Sequence, residues 1–230
     1  MLAPLADANT SDRQEAMVAG RDVSRKPHRS SVSAPVAIVP PSGRGAEYLV
    51  HGIYQRECDA HVANCVANAG RIESGDSYKF YAEGVTPAVA RLYEAINAER
   101  VAVAAALGAS VPTLADWFDR VYGVREATLV ETCQRLTYNS DGPYQATGTP
   151  KSLDHKFITE DVPTGLIPMS ALSAAAGVST PAIDALIEVV RSMTGKDFAG
   201  EARTLERLGL SGMDAPQIRT VVDEGFPISI

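Results

Sequence analysis

The densest group of side chains that could take part in chemistry lies between residues 154 and 161. These eight positions contain an imidazole, an amino group and three carboxylates, contributed by Asp154, His155, Lys156, Glu160 and Asp161. The apolar run Val162–Met169 follows directly and must be buried. Charged groups beside a buried segment are typical of a polar pocket set into a core, where acid/base chemistry takes place. A solvated turn before a helix is the alternative.

A second candidate is His61, one of four histidines in the chain. An imidazole has an unperturbed pKa of roughly 6.5 and can shuttle protons at neutral pH when a carboxylate orients its ring. Asp161 or Glu160 would provide that carboxylate if folding brings the two segments together. A histidine among small apolar residues can also be a satisfied structural group, so the sequence leaves both interpretations open.

The same segment raises the question of a metal site. Cys58, His61 and Cys65 are spaced so that a helix would present them on one face, and zinc accepts thiolates and imidazoles. Known zinc motifs rarely use this spacing, no fourth ligand is evident, and cysteine is often a small buried apolar residue. We predict no metal site.

Lys156 is the remaining candidate for a substrate contact. A lysine among acidic neighbours is commonly part of a surface ion pair, which adds little to stability. The functional alternative is a cation that binds a substrate carboxylate near the histidine.

Helices must position these residues, because helix-ending signals recur from residue 46 onwards. Proline in the first turn and glycine after the last turn mark helix ends, and apolar residues recur at three- and four-residue spacing. We predict helices that open at Thr86-Pro87, Thr113, Ala127, Met169, Thr180-Pro181 and Asp214. Tyr78–Tyr81 is the best short strand candidate. The body, residues 46–230, is predicted to be an all-α domain.

Composition narrows the class of protein. The chain has 230 residues, 45% of them apolar, and a net charge of -7 with no long basic cluster, so nucleic acid is not an expected partner. No window approaches the run of about 20 apolar residues that a membrane span requires. Three cysteines do not form a disulfide framework, so a soluble protein of the reducing cytoplasm is expected.

Residues 1–45 differ from the body. Ser, Pro and Arg dominate residues 22–44, and the one apolar run is closed by Pro40-Pro41. Such a segment buries too little surface to offset its ordering entropy, so we expect a largely disordered leader. A dinucleotide fingerprint is missing from the chain: Gly43 and Gly45 are not followed by a third glycine, since Tyr48 stands there. A P-loop, a G-x-S-x-G motif and an H-E-x-x-H motif are missing too.

The body resembles the C-terminal helical domain of the opine dehydrogenases, the octopine and nopaline dehydrogenase-like enzymes. Seven blocks carry the resemblance in the family's order. They are Asn68–Glu73 (NAGRIE), Phe80–Arg100 (FYAEGVTPAVARLYEAINAER), Leu107-Gly108, Phe157–Pro168 (FITEDVPTGLIP), Gly177–Ile187 (GVSTPAIDALI), Thr194–Phe198 (TGKDF) and Arg203–Met213 (RTLERLGLSGM).

The resemblance implies a helical bundle of the type found at the C-terminus of 6-phosphogluconate dehydrogenase. It also implies an oxidoreductase that condenses an amino acid with a 2-oxo acid and reduces the imine with NAD(P)H. The family's catalytic histidine corresponds to His61 and its carboxylate partner to Asp161. Lys156 stands where the family has a substrate-binding arginine, and the Asn-Pro pair that leads to the family's histidine is absent here.

In this family a Rossmann domain precedes the helical half, and residues 1–45 are too short to build one. We therefore expect the substrate half alone, truncated or working with a separate nucleotide-binding chain, and a homodimer stays open. The alternative is a non-catalytic helical module that binds a small amino or oxo acid or acts as a dimerisation partner.

Overall fold

The structure, a computed structural model, describes residues 56–224; of residues 56–59 and Val222 it describes the backbone alone. The predicted leader and the proposed domain boundary at residue 46 lie outside this range. Between residues 56 and 224 the regular structure is helical, without a strand. The helices are α1 Arg56–Ala67, α2 Ala69–Glu73, α3 Phe80–Gly84, α4 Pro87–Ala106, α5 Leu114–Tyr122, α6 Leu129–Tyr138, α7 Lys156–Thr159, a π-helical turn Val162–Leu166, α8 Ile167–Ala176, α9 Pro181–Thr194 and α10 Ala215–Glu224. The all-α prediction is confirmed.

Threonine side chains cap three of the helices that the punctuation predicted. The Thr86 hydroxyl accepts a hydrogen bond from the amide of Val89, ahead of Pro87 in the first turn of α4. Thr113 and Thr128 each form a reciprocal capping box with an acidic residue three positions on, Asp116 and Glu131. These contacts satisfy amides that have no partner within the helix.

Three local predictions differ from the structure. The helix expected from Ala127 begins at Leu129, because Thr128 caps it. Tyr78–Tyr81 is not a strand, because Phe80 and Tyr81 open the short helix α3, whose carbonyls accept hydrogen bonds from Asn64 and Asn68. The helix expected from Met169 begins at Ile167 and is preceded by the π-helical turn. This turn carries Pro163 within it, and π-helical turns are frequent at functional sites.

Helix α1 lies at the centre of the packing. It packs against α4, α7, the π-helical turn and α9, and buries Val62, Ala63 and Cys65. Helix α4, 20 residues long, also supports α8 and α9. Any polar side chain on the inner face of α1 is therefore enclosed by several elements, and His61 is such a residue. Across the described residues, none of the helices is long and apolar enough to cross a membrane.

Candidate active site

His61 and Asp161 meet directly. The Nδ1 atom of His61 lies 2.8 Å from Oδ2 of Asp161, across 100 residues of sequence. Both side chains are largely enclosed, with 11% and 14% of their surface exposed. Because a carboxylate only accepts hydrogen bonds, Nδ1 carries the proton. The bond thereby orients the ring and leaves Nε2 as the nitrogen that can gain or lose a proton.

Of the two carboxylates that the sequence offered as partners of His61, only that of Asp161 contacts the ring. Asp161 lies between α7 and the π-helical turn, with its side chain on His61. Glu160 is exposed, and its carbonyl accepts the hydroxyl of Thr164 at 2.7 Å. The π-helical turn packs against α1, which brings the residue just before it onto the ring.

The second ring nitrogen has a partner as well. The hydroxyl of Tyr81, on α3, lies 2.5 Å from Nε2 of His61. Tyr81 is 5% exposed and its ring stacks on Tyr144 at 4.0 Å between ring centroids. Both nitrogens of His61 are thus held by side chains from other elements.

Aromatic rings surround the imidazole. The ring of Phe157, on α7, stacks on His61 at 3.9 Å between centroids with an interplanar angle of 19°. Phe80 lies against Phe157 at 5.0 Å and is fully buried. These rings exclude water from part of the imidazole surface. The hydrogen bonds of His61 are therefore electrostatically stronger than they would be in water.

Two asparagines, Asn64 in α1 and Asn68 directly after it, hold α3 in place. Asn64 donates from Nδ2 to the carbonyl of Phe80 at 2.8 Å. Asn68 donates from Nδ2 to Oδ1 of Asn64 at 2.7 Å and to the carbonyl of Gly84 at 3.1 Å. Both asparagines are buried. We refer to these bonds as the asparagine clamp; they link the helix that carries His61 to the helix that carries Tyr81.

Lys156 opens the helix that leads to Asp161. Its side chain is exposed, at the first position of α7. Its positive charge reaches the neighbouring imidazole, since it is one of the groups that lower the pKa of His155. The structure therefore places a cation on the segment that carries Asp161, at the surface of the protein.

His155 caps the same helix. Its Nδ1 accepts the amide N–H of Phe157, and its ring meets Phe157 edge-on at 4.5 Å. Burial lowers the pKa of His155 below its usual value, and the charges of Lys156 and His61 lower it further, against an opposing effect of Asp161. The ring is therefore neutral near pH 7, which suits its role as a hydrogen-bond acceptor.

Cys65 behaves as a buried apolar residue. Burial, with a smaller contribution from the charge of Asp161, raises the pKa of its thiol to about 12. A zinc ligand is a thiolate, which this environment disfavours. No group of three or more His, Cys, Asp or Glu suited to a metal occurs among the described side chains, which do not include that of Cys58.

The N-termini of four helices do not fit a dinucleotide. A pyrophosphate site uses free amides at a helix N-terminus after a strand and a glycine-rich turn. Here threonines occupy the N-termini of α4, α5 and α6, and the carboxylate of Glu99 accepts the amides of Ala182 and Ile183 at the start of α9. A carboxylate at that position would repel a phosphate.

Sequence reasoning missed Tyr81, Phe157 and the two asparagines. They stand within or next to the NAGRIE, FYAEG and FITEDVP blocks. Their position in or near these blocks was the signal available, but a role could not be assigned because the contacts form only when separate elements pack together.

Comparison with known proteins shows which proteins this chain is similar to. Residues 58–194, more than half of the chain, match the family model described as NAD/NADP octopine/nopaline dehydrogenase, alpha-helical domain. An opine dehydrogenase of Arthrobacter sp. (strain 1C) is 40% identical over 163 residues, which are 71% of this chain and 44% of the relative. Vitopine synthase of Allorhizobium ampelinum is 32% identical over 149 residues, covering 64% of this chain and 40% of the relative.

Solved structures give the same fold. An octopine dehydrogenase with NADH and L-arginine superimposes with a TM-score of 0.58 and 20% identity, over 80% of this chain and 50% of that one. A structure of octopine dehydrogenase with NADH and agmatine gives the same values. In these comparisons the chain spans half or less of the length of the proteins that it matches.

Proposed function

The chain belongs to the octopine/nopaline dehydrogenase family of oxidoreductases, and from this premise we propose that it carries the substrate-side acid/base machinery of an opine dehydrogenase. The proposed reaction is the NAD(P)H-dependent reductive condensation of an amino acid with a 2-oxo acid. His61 is the acid/base, Asp161 orients it, and Lys156 binds a substrate carboxylate.

The contact between His61 and Asp161 is the observation that carries this proposal. Two side chains 100 positions apart share a 2.8 Å hydrogen bond beside a buried aromatic cluster. In this arrangement Asp161 stabilises the imidazolium that forms when Nε2 accepts a proton. General acid/base catalysis of this kind contributes typically about 10²- to 10⁴-fold in rate.

The proton steps follow from the chemistry of condensation. At neutral pH the amino group of an amino acid is protonated. This ammonium group must lose a proton before its nitrogen can attack a carbonyl carbon. His61 takes up that proton on Nε2 by way of the Tyr81 hydroxyl bound there, and returns it by the same route to the hydroxyl that leaves as water. The ammonium ion and the ketone thus become an iminium ion and water, and His61 ends in its starting state.

Lys156 supports the choice of acidic substrates. Both an amino acid and a 2-oxo acid carry a carboxylate, and the exposed amino group at the start of α7 is five residues before Asp161. Lysine binds a carboxylate as a point charge and lacks the planar fork of arginine. We propose that the 2-oxo acid carboxylate binds there.

The nicotinamide cofactor, which supplies the hydride when bound, needs another binding site. Since side chains occupy the N-termini of α4, α5, α6 and α9, these four helices offer no free amides to a pyrophosphate. We propose that another part of the protein or a separate nucleotide-binding chain holds it.

A chimera tests this function. The nucleotide-binding half of the Arthrobacter opine dehydrogenase is fused to this chain from residue 56, and NADH consumption is measured with pyruvate and a panel of amino acids. The His61→Asn variant is expected to lower kcat by about 10²- to 10⁴-fold. The matched control is His155→Asn, the same substitution on a second histidine that contacts Phe157, with an expected change of a few-fold at most.

Either of two results would contradict the proposal. One is a folded, NADH-binding chimera without activity on any pair of substrates. The other is an active chimera in which His61→Asn keeps the rate. The second result, together with amino-acid or oxo-acid binding that depends on Lys156, would favour the non-catalytic binding module.

A further inference from the structure

We propose that Tyr81 holds His61 in both of its protonation states by reversing the direction of one hydrogen bond. Its consequence for catalysis rests on the proposed function of His61, whereas the hydrogen-bond reversal itself does not.

The bond from Asp161 determines which nitrogen changes. Nδ1 is held as a donor at 2.8 Å from the carboxylate, so a proton is gained or lost at Nε2. Nε2 is an acceptor in the neutral ring and a donor in the imidazolium. Its partner must therefore donate in one state and accept in the other.

A phenolic hydroxyl meets this requirement. The Tyr81 hydroxyl, 2.5 Å from Nε2, both donates and accepts, and it changes direction by rotation of one hydrogen. A lysine can only donate and a carboxylate can only accept. No heavy atom needs to move when His61 titrates, so the ring keeps its orientation through a proton-transfer cycle.

The surroundings of Tyr81 fix its hydroxyl in space. Its ring stacks on Tyr144 and meets Phe80 edge-on at 5.2 Å, and 5% of the residue is exposed. The asparagine clamp holds the backbone on both sides of it, at the carbonyls of Phe80 and Gly84. A hydroxyl placed by so many contacts is preorganised for His61, which is how supporting residues fix a catalytic group.

Nuclear magnetic resonance of the 230-residue chain tests the reversal. Histidine is labelled with ¹⁵N in the ring and tyrosine with ¹³C at Cζ, and the pH is varied. With four histidines and eight tyrosines, single substitutions assign the signals. We expect the Tyr81 Cζ signal to move with the same midpoint as the ring nitrogens of His61, because the hydroxyl changes from donor to acceptor.

Substitutions give the second arm. Tyr81→Phe keeps the aromatic ring and should shift the Nε2 signal of neutral His61, which loses its donor. The matched control is Tyr138→Phe, which removes an exposed hydroxyl bound to Glu83 of the same helix α3 and should leave that signal in place. In the chimera, Tyr81→Phe should lower kcat about tenfold, the size expected for one hydrogen bond, with KM changed by less than about twofold.

A Tyr81 signal that stays constant while His61 titrates would overturn the proposal. The wild-type titration decides this even if Tyr81→Phe does not fold. A chimera that is unaffected by His61→Asn while the two residues still titrate together would refute the proposed function and leave the hydrogen-bond reversal standing.

Discussion

Lys156 shows how one residue type sets the strength of a proposed substrate contact. Its amino group is a compact charge on a flexible stem, whereas a guanidinium matches both oxygens of a carboxylate. The residue is exposed at the start of α7, and its charge already acts on His155. A hydrogen bond from this flexible amino group would therefore hold a substrate carboxylate less rigidly than a guanidinium would.

We expect Lys156→Met in the chimera to raise KM for the 2-oxo acid by about 10- to 100-fold, because a charge-assisted hydrogen bond is lost. Lys156→Arg should lower KM. Steady-state kinetics with pyruvate as the varied substrate measure both. Lys151→Met, an exposed lysine five positions earlier, is the control. An unchanged KM in Lys156→Met would exclude a role in carboxylate binding.

His155 makes the start of α7 sensitive to acid. Its folded pKa is lowered, chiefly by burial, while the unfolded chain keeps the usual value of about 6.5. The unfolded state therefore binds a proton first as the pH falls. The contribution of His155 to stability is present above about pH 6.5 and is lost below it. Protonation also removes the acceptor for the amide of Phe157.

Urea unfolding at pH 7, 6 and 5 tests this dependence. The urea concentration at the unfolding midpoint of the wild type should decrease as the pH is lowered. His155→Asn should make this decrease smaller, because asparagine caps a helix without titrating. Since His155 is half-buried, the effect is expected to be modest. A parallel fall in both proteins would show that other groups control the acid side.

At the scale of elements, the site depends on how closely α3 approaches α1. The asparagine clamp reaches across this contact, and Gly84 leaves room for it. A Cβ at Gly84 would lie 2.7 Å from Oδ1 of Asn64 and 3.1 Å from the ring of Tyr78. Both neighbours are buried, so neither can move aside cheaply.

Gly84→Ala should destabilise the fold by about 1–3 kcal/mol, the range for overpacking a close contact. It should also reduce catalysis by the chimera, because Tyr81 sits on the displaced helix. Gly70→Ala is the matched control: it lies in α2, nothing approaches its Cβ within 4 Å, and alanine favours a helix there. Thermal unfolding compares the two. Equal midpoints would show that α3 adapts to the methyl group.

At the scale of the whole molecule, the core contains several thiols and phenols that burial keeps in their neutral, protonated form. Burial raises the pKa of Cys65, Cys133 and Tyr78 to about 12, and that of Tyr93 well above its usual value. On unfolding each group returns to its ordinary pKa. At alkaline pH the unfolded state therefore releases protons that the folded state retains.

Stability should fall as the pH rises above about 8.5, where thiols ionise in the unfolded chain. Each fully buried thiol contributes a slope of at most about 1.4 kcal/mol per pH unit. Urea unfolding at pH 7, 9 and 10 measures the loss. Cys133→Ala should reduce the slope, whatever its effect at pH 7. A constant midpoint up to pH 10 would contradict the expectation.

The helices follow from the sequence because their signals act within one or two turns. Thr86-Pro87, Thr113 and the glycines at 177 and 195 specify helix ends through the nearest backbone amides and carbonyls. The all-α class was therefore predictable. The strand expected at Tyr78–Tyr81 failed because the asparagine clamp, a tertiary contact, governs that segment.

The site was predictable only in outline. Sequence and resemblance together pointed to His61 and Asp161, but the geometry that relates them spans 100 residues. Tertiary packing decided which acid reaches the ring, which aromatic residue stacks on it, and that Tyr81 occupies its second nitrogen. Such contacts depend on how helices pack, and a periodic pattern specifies which face of a helix is buried but not what that face meets.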